Sequence, residues 1–231
     1  MTTDDLTPEA VYSESSAASA RAQFINRTYT HLLGAILAFA AIEFWIFQTP
    51  LAEAITQFAF NTSWLAILGA FVVVSWIASG VAHRVSSKPQ QYAALGVFVV
   101  AEALIFVPMF YIAAAMGPDI IEKAVWVTLG AFVALTAVAM LSGRDFTFLR
   151  SFLMWGGMIA LGTIVMGAVA GFNLGTYFSM AMIGLAGAAI LYDTSKVLRD
   201  YPDEKYIAAA LELFASIALM LWYVLRLFMR R

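Results

Sequence analysis

The chain has 231 residues, 62% of them hydrophobic and only 12% charged, with a net charge of −2. Soluble domains run nearer roughly half apolar and a quarter charged, so most of this surface must be buried in lipid, and the near-neutral balance gives no sign of a nucleic-acid partner. With no cysteine there is no disulfide framework or thiolate metal site, and two histidines, His31 and His83, are too far apart to suggest a zinc or haem cluster.

Residues 1–23 are polar and acidic, with Asp4, Asp5, Glu9 and Glu14 among Ser, Thr and Ala. So few apolar groups cannot offset the entropy of ordering, and a flexible cytoplasmic tail is expected. No basic segment precedes a short apolar stretch, which excludes a signal peptide, and the acidity excludes a mitochondrial transit sequence. The remainder, 24–231, reads as one transmembrane domain. Apolar runs follow one another at 29–47, 64–81, 92–115, 124–141, 152–169, 177–192 and 206–228. A span needs about 20 apolar residues. Lipid permits helices or closed barrels, and the alternation of barrel strands is missing. The expected fold is an all-α polytopic membrane protein, a bundle of seven transmembrane helices.

Lys and Arg of short loops set the orientation. Arg21 and Arg27, then Arg84 with Lys88, Arg144 with Arg150, and Lys196, Arg199 and Lys205 fall on alternate sides of the runs. Loops 48–63 and 170–176 carry none, and Lys123 stands alone in its loop. The N-terminus is therefore expected in the cytoplasm. Arg226, Arg230 and Arg231 then lie outside if the last helix crosses fully, or inside if it re-enters. Its 23 residues at about 1.5 Å each are ample for the crossing. Gly156, Gly157, Gly162, Gly167 and Gly171 in the fifth run, with Gly184 and Gly187 in the sixth, predict close packing of these helices.

Four carboxylates fall inside the runs: Glu43, Glu102, Asp193 and Glu212. Each is costly near the bilayer centre and should face the bundle interior, water or a cation. Glu43 is late enough in its helix to reach the outer interface. Glu102 is the deepest, and reads equally as a hydrogen-bonded packing residue or as a functional group. Asp193 and Glu212 flank the charged loop 196–205. Two carboxylates close together in a partly dry site cannot both ionise easily, so they are expected to share a proton near neutral pH or to hold a hard cation such as calcium. Arg84 or Lys88, on the same side, could instead neutralise Asp193. His83 suits the C-terminal dipole of its helix, His31 an interfacial position, and Trp45, Trp64, Tyr111, Trp126 and Trp222 an interfacial belt. No GxSxG, P-loop, HExxH or GxGxxG context appears, and no enzymic activity is expected.

Five pieces in order resemble the Bax-inhibitor family of seven-helix membrane proteins, in its bacterial YccA-like branch. They are Phe24-Ile25-Asn26-Arg27-Thr28-Tyr29, Ala101-Glu102-Ala103-Leu104 with Pro108, Gly143-Arg144-Asp145-Phe146-Thr147-Phe148-Leu149, Tyr192-Asp193-Thr194-Ser195, and 206–214. The resemblance implies one of two activities. Some members are pH-sensitive calcium leak channels, gated by two aspartates on the last two helices and an arginine on the second. The YccA-like branch binds and modulates the membrane-anchored FtsH protease through a cytoplasmic tail. Carried over, the first aspartate falls on Asp193 and the arginine on Arg84. The second aspartate falls on Ser216, and a common asparagine on Leu219. Glu212, one turn before Ser216, is the candidate substitute carboxylate. The expectation is a modulator of an FtsH-type protease and of membrane-protein quality control in the bacterial inner membrane. The alternative is a calcium leak through Asp193 and Glu212. A secondary transporter is disfavoured for want of repeated halves with broken helices. Apart from calcium at Asp193 and Glu212, no cofactor is expected, and the oligomeric state is open.

Overall fold

The computed structural model describes the backbone of residues 8–230 and the side chains of 18–230. Among these the chain forms α1 (Pro8–Phe47), α2 (Leu51–Asn61), α3 (Trp64–Arg84), α4 (Lys88–Met116), α5 (Ile120–Leu141), α6 (Leu149–Ala170), α7 (Thr176–Arg199) and α8 (Tyr206–Phe228). All but α2 are long and apolar enough to cross a membrane, seven in number. This is the expected all-α bundle.

The helix ends follow from local chemistry. Pro89 lies in the first turn of α4, where its missing N–H would have had no partner. Gly171 ends α6 in the left-handed conformation, at φ 73°, which a side chain would strain. Pro108 inside α4 removes one backbone hydrogen bond, which buried neighbours on both sides tolerate.

The last helix is the hub. Ala208, Ala209 and Ala210 of α8 are fully buried, as are Leu213 and Leu225. Their small side chains let α1, α4, α5, α7 and α3 pack around α8. Phe39, Phe98, Phe106, Phe110 and Phe214 join in edge-on ring contacts that tie α1 and α4 to it.

Three expectations change. Residues 1–7 of the expected tail lie outside the described residues, but from Pro8 the chain is already helical. The expected boundary at residue 23 therefore falls inside α1. Loop 48–63 contains α2, an amphipathic helix of 11 residues too short to span, with Ala52 and Thr56 turned inward and Leu51, Phe58 and Phe60 outward. The glycines of α6 do not draw it into the bundle. Only Gly156 lies so near α7 that a Cβ would meet Leu185 at 2.7 Å, while Gly157 and Gly162 face open space. Gly187 instead brings α7 against Leu135 of α5 and Met220 of α8.

The last helix runs from one end of the bundle to the other. α8 starts beside the 200–205 loop, whereas at its far end Arg226 donates to the carbonyl of Leu174, between α6 and α7, at 3.2 Å, and Arg230 donates to the same oxygen. Trp222, near that end, stacks on Trp64 at 5.8 Å and packs edge-on against Phe106, so it belongs to the bundle rather than to an interfacial belt.

Candidate functional site

The antiparallel pairing of α7 and α8 sets two polar rungs at the basic end of the bundle. On α7, Asp193 and Lys196 are three residues apart; on α8, Glu212 and Ser216 are four apart, so each pair shares a helix face. The Ser216 hydroxyl donates to Asp193 Oδ2 at 2.6 Å. Lys196 Nζ lies 2.8 Å from Glu212 Oε2. Thus Asp193 and Glu212 are neighbours, but each has its own partner and they do not bond to each other. Ser216, the position where a second carboxylate was expected by resemblance, serves as the hydroxyl donor to the first.

A third helix completes the cluster. His83 of α3 places Nε2 at 2.8 Å from Glu212 Oε1, and its Nδ1 lies 2.7 Å from the Ser79 carbonyl. Both ring nitrogens face acceptors, the arrangement of an imidazolium. The Tyr201 hydroxyl, 2.9 Å from the same Nε2, also hydrogen-bonds Glu212. Burial, reinforced by the Glu212 charge, holds the Tyr201 phenol well above its ordinary value, so it remains a neutral donor. Two basic side chains, His83 and Lys196, thus converge on Glu212, while Asp193, 7% exposed, is held by the Ser216 hydroxyl.

Arg84 is not part of this cluster. It is exposed and, among the described residues, forms no ion pair. Successive helical residues point about 100° apart, and it is His83 that faces α8. Lys88 turns to the carbonyl of Glu204 and lies 4.3 Å over the Tyr206 ring. Glu102 is buried in the middle of α4, on a different helix from the cluster, and among the described residues no ion pair engages it. Sequence reasoning missed Lys196, Tyr201 and His83 as site residues. The spacing of Lys196 from Asp193 was a usable signal; nothing local marks Tyr201, which depends on how the loop folds back.

Neighbouring segments clamp the site. Arg21 donates from Nε to the Leu198 carbonyl at 3.2 Å, from Nη1 to the Tyr201 carbonyl, and pairs with Asp203 at 3.1 Å. It thereby satisfies carbonyls left open at the end of α7. Phe24 stacks on Tyr201 at 6.2 Å. From the other side, Ser195, next to Lys196, accepts the Phe146 N–H at 3.0 Å and donates to Asp145 at 3.2 Å. The Thr147 N–H holds the Asp145 carboxyl below the usual carboxylate range. His31 bridges Arg27 and Tyr92, with Nε2 2.8 Å from the tyrosine oxygen. Among the described residues no group of three or more acidic, histidine or cysteine side chains is placed to hold a metal ion.

Comparison with known proteins locates the chain. The sequence profile of the family described as "Inhibitor of apoptosis-promoting Bax1" matches residues 21–231. The chain is 28% identical over 214 residues to Bax inhibitor 1 of Schizosaccharomyces pombe, covering 86% of this chain and 73% of that protein. It is 29% identical over 214 residues to Protein LIFEGUARD 4 of Arabidopsis thaliana, across 89% of this chain and 83% of that one. A Vibrio cholerae protein named as an uncharacterized membrane protein is 29% identical over 109 residues, about half of each chain at 47% and 48%.

Proposed function

Since the chain belongs to the Bax inhibitor family, we propose that it is a non-enzymatic regulator of membrane proteolysis, engaging a membrane-anchored FtsH-type protease through the part of α1 that precedes Arg21. The observation that carries this reading is the length of α1. Its 40 residues extend about 60 Å, twice the roughly 30 Å of a hydrocarbon core. Arg21 ties the helix to the 196–203 segment, and residues 8–20 carry it about 20 Å further. A helix anchored at Arg21 and running well past the length of a hydrocarbon core is a handle that a protease could grip, on the side expected to be cytoplasmic.

The alternative, a calcium leak, has less support in the site. Calcium takes six to eight oxygens, about as many as two carboxylates with waters can offer only when both are free. Here Lys196 and His83 already occupy Glu212, and Ser216 occupies Asp193. The bond between Ser216 and Asp193 across α7 and α8 does favour one part of that reading, since it lies where the resemblance places the gate.

The test is purification of the gently solubilised chain from its host membrane, with and without residues 2–17. Recovery of a membrane-anchored ATP-dependent protease with the full chain, and its loss on truncation, is the expected result. No protease with either form, together with calcium flux from liposomes carrying the wild type, would reject the reading in favour of the leak.

A further inference from the structure

Two charged side chains outside the cluster stand in opposite settings. Glu43 is buried, 6% exposed, so it does not reach the outer interface that its position in the sequence suggested. Arg84 is exposed in the last turn of α3 and forms no ion pair among the described residues. It closes one end of a shallow, open groove on α3, lined by two rows of side chains: Trp76, Gly80 and Arg84 in one, Ile77, Val81 and Val85 in the other. Residues four apart share a helix face, so both rows run roughly along the axis. Gly80 leaves a notch in the first row, where an added Cβ would meet nothing within 4 Å. Beyond the notch, Trp76 is 78% exposed. It lies about 12 Å from Arg84 along the axis, near the middle of the span and away from any interfacial belt.

The two ends of this groove suit different chemistry. Trp76, Ile77, Val81 and the notch at Gly80 face the hydrocarbon, where an acyl chain fills apolar space. Arg84, at the end of the span, lies at headgroup depth, where the planar fork of a guanidinium takes two oxygens of a phosphate. Neighbouring basic groups are already engaged, Lys88 by the Glu204 carbonyl and Arg199 by that of Gly143. A neutral apolar molecule would leave the guanidinium without a partner. A helix of another protein would have to bring an acidic side chain to that depth, whereas lipid phosphates already line it. A zwitterionic headgroup carries a cation that the arginine repels, so a net negative charge is favoured. We propose that this groove binds an anionic phospholipid, with its phosphate on Arg84 and one acyl chain lying over Gly80 against the Trp76 ring.

The test is native mass spectrometry of the full chain released from mild detergent, titrated with dioleoylphosphatidylglycerol and the matched dioleoylphosphatidylcholine. The wild type is expected to take up its first phosphatidylglycerol with about tenfold preference over phosphatidylcholine, the equivalent of one charge-assisted contact. Arg84→Gln should remove that preference, and Arg84→Lys, which keeps the charge but not the fork, should retain only part of it. Gly80→Leu fills the notch and should weaken uptake of both lipids, and the open space around Gly80 lets the fold accept the larger side chain. Arg144→Gln, at an exposed loop position at the same end, should bind phosphatidylglycerol as the wild type does. Equal preference in wild type and Arg84→Gln, unchanged uptake by Gly80→Leu, or an equal loss in Arg144→Gln would each overturn the proposal. So would a photoreactive residue at position 77 that crosslinks, in native membranes, to another protein instead of to lipid.

Discussion

His83 of α3 and Glu212 of α8 meet at 2.8 Å, and this contact changes what the carboxylates of the basic end can do. Glu212 is held from two sides, by His83 and by Lys196, instead of standing free beside Asp193. Three helices and the 200–205 loop converge on it, so the contact is also a packing joint. A site built this way resists opening unless a charge is removed from it.

Removing that charge should loosen the joint. Glu212→Gln leaves Lys196 and the His83 imidazolium without their counter-charge in a partly buried setting, and should cost about 2–3 kcal/mol of stability. Partial exposure of all three side chains places the figure below that of a fully buried pair. Unfolding of the purified protein in mixed micelles checks this. Arg84→Gln, at an exposed site outside the cluster, should stay within about 0.5 kcal/mol of the wild type.

The hydroxyl of Ser216 matters because its partner is buried. Ser216→Ala removes the hydroxyl that donates to the buried Asp193 and should destabilise the protein by about 1–3 kcal/mol. Pairing the change with Asp193→Asn in a double-mutant cycle should show coupling of about 0.5 kcal/mol or more. Additive effects would show that the two side chains act independently.

The fold was legible because its signals are long and local. Apolar runs of span length and alternating Lys and Arg in the loops gave seven helices and the common side of Arg21, Arg84, Arg144 and Lys196. The helix α2 was hidden because a search for spans passes over 11 amphipathic residues. Within the site, burial cost marks Asp193 and Glu212 in the sequence, whereas Ser216 comes only from the family resemblance. Their pairing was not legible, since it depends on the register of α7 against α8. Arg84 comes from the resemblance and from its charge on the same side as Asp193, whereas helix rotation decides which of two adjacent residues faces inward, and that residue is His83.

Acid should release the 143–148 loop. The folded-state value of Asp145 lies below its unfolded one, so its anchoring is present above the ordinary aspartate value of about 3.9 and is lost as pH falls through the folded value. Hydrogen exchange at the Thr147 amide, measured between pH 5 and the lowest pH the protein tolerates, should show falling protection relative to a neighbouring helix amide. Asp145→Asn should flatten that response.

The two ends of α8 should lie on opposite sides of the membrane. Cysteines introduced at Asp203 and at Gly175 of this cysteine-free chain can be tested with an impermeant thiol reagent in intact cells. Labelling at residue 175 alone is expected, because loop 200–205 lies at the basic end and residue 174 is bonded by Arg226 at the other. Labelling at 203 from outside would invert the bundle.

The regulatory reading depends on what touches the part of α1 that precedes Arg21, and photocrosslinking in native membranes asks this directly. A photoreactive residue at Ala18 or Ala20, both exposed on α1, is compared with one at Val165, on the lipid-facing surface of α6. The account predicts a crosslink from positions 18 and 20 to a membrane-anchored ATP-dependent protease, and none from 165. Crosslinks from all three positions to lipid alone, with the protease present in the same membrane, would contradict it.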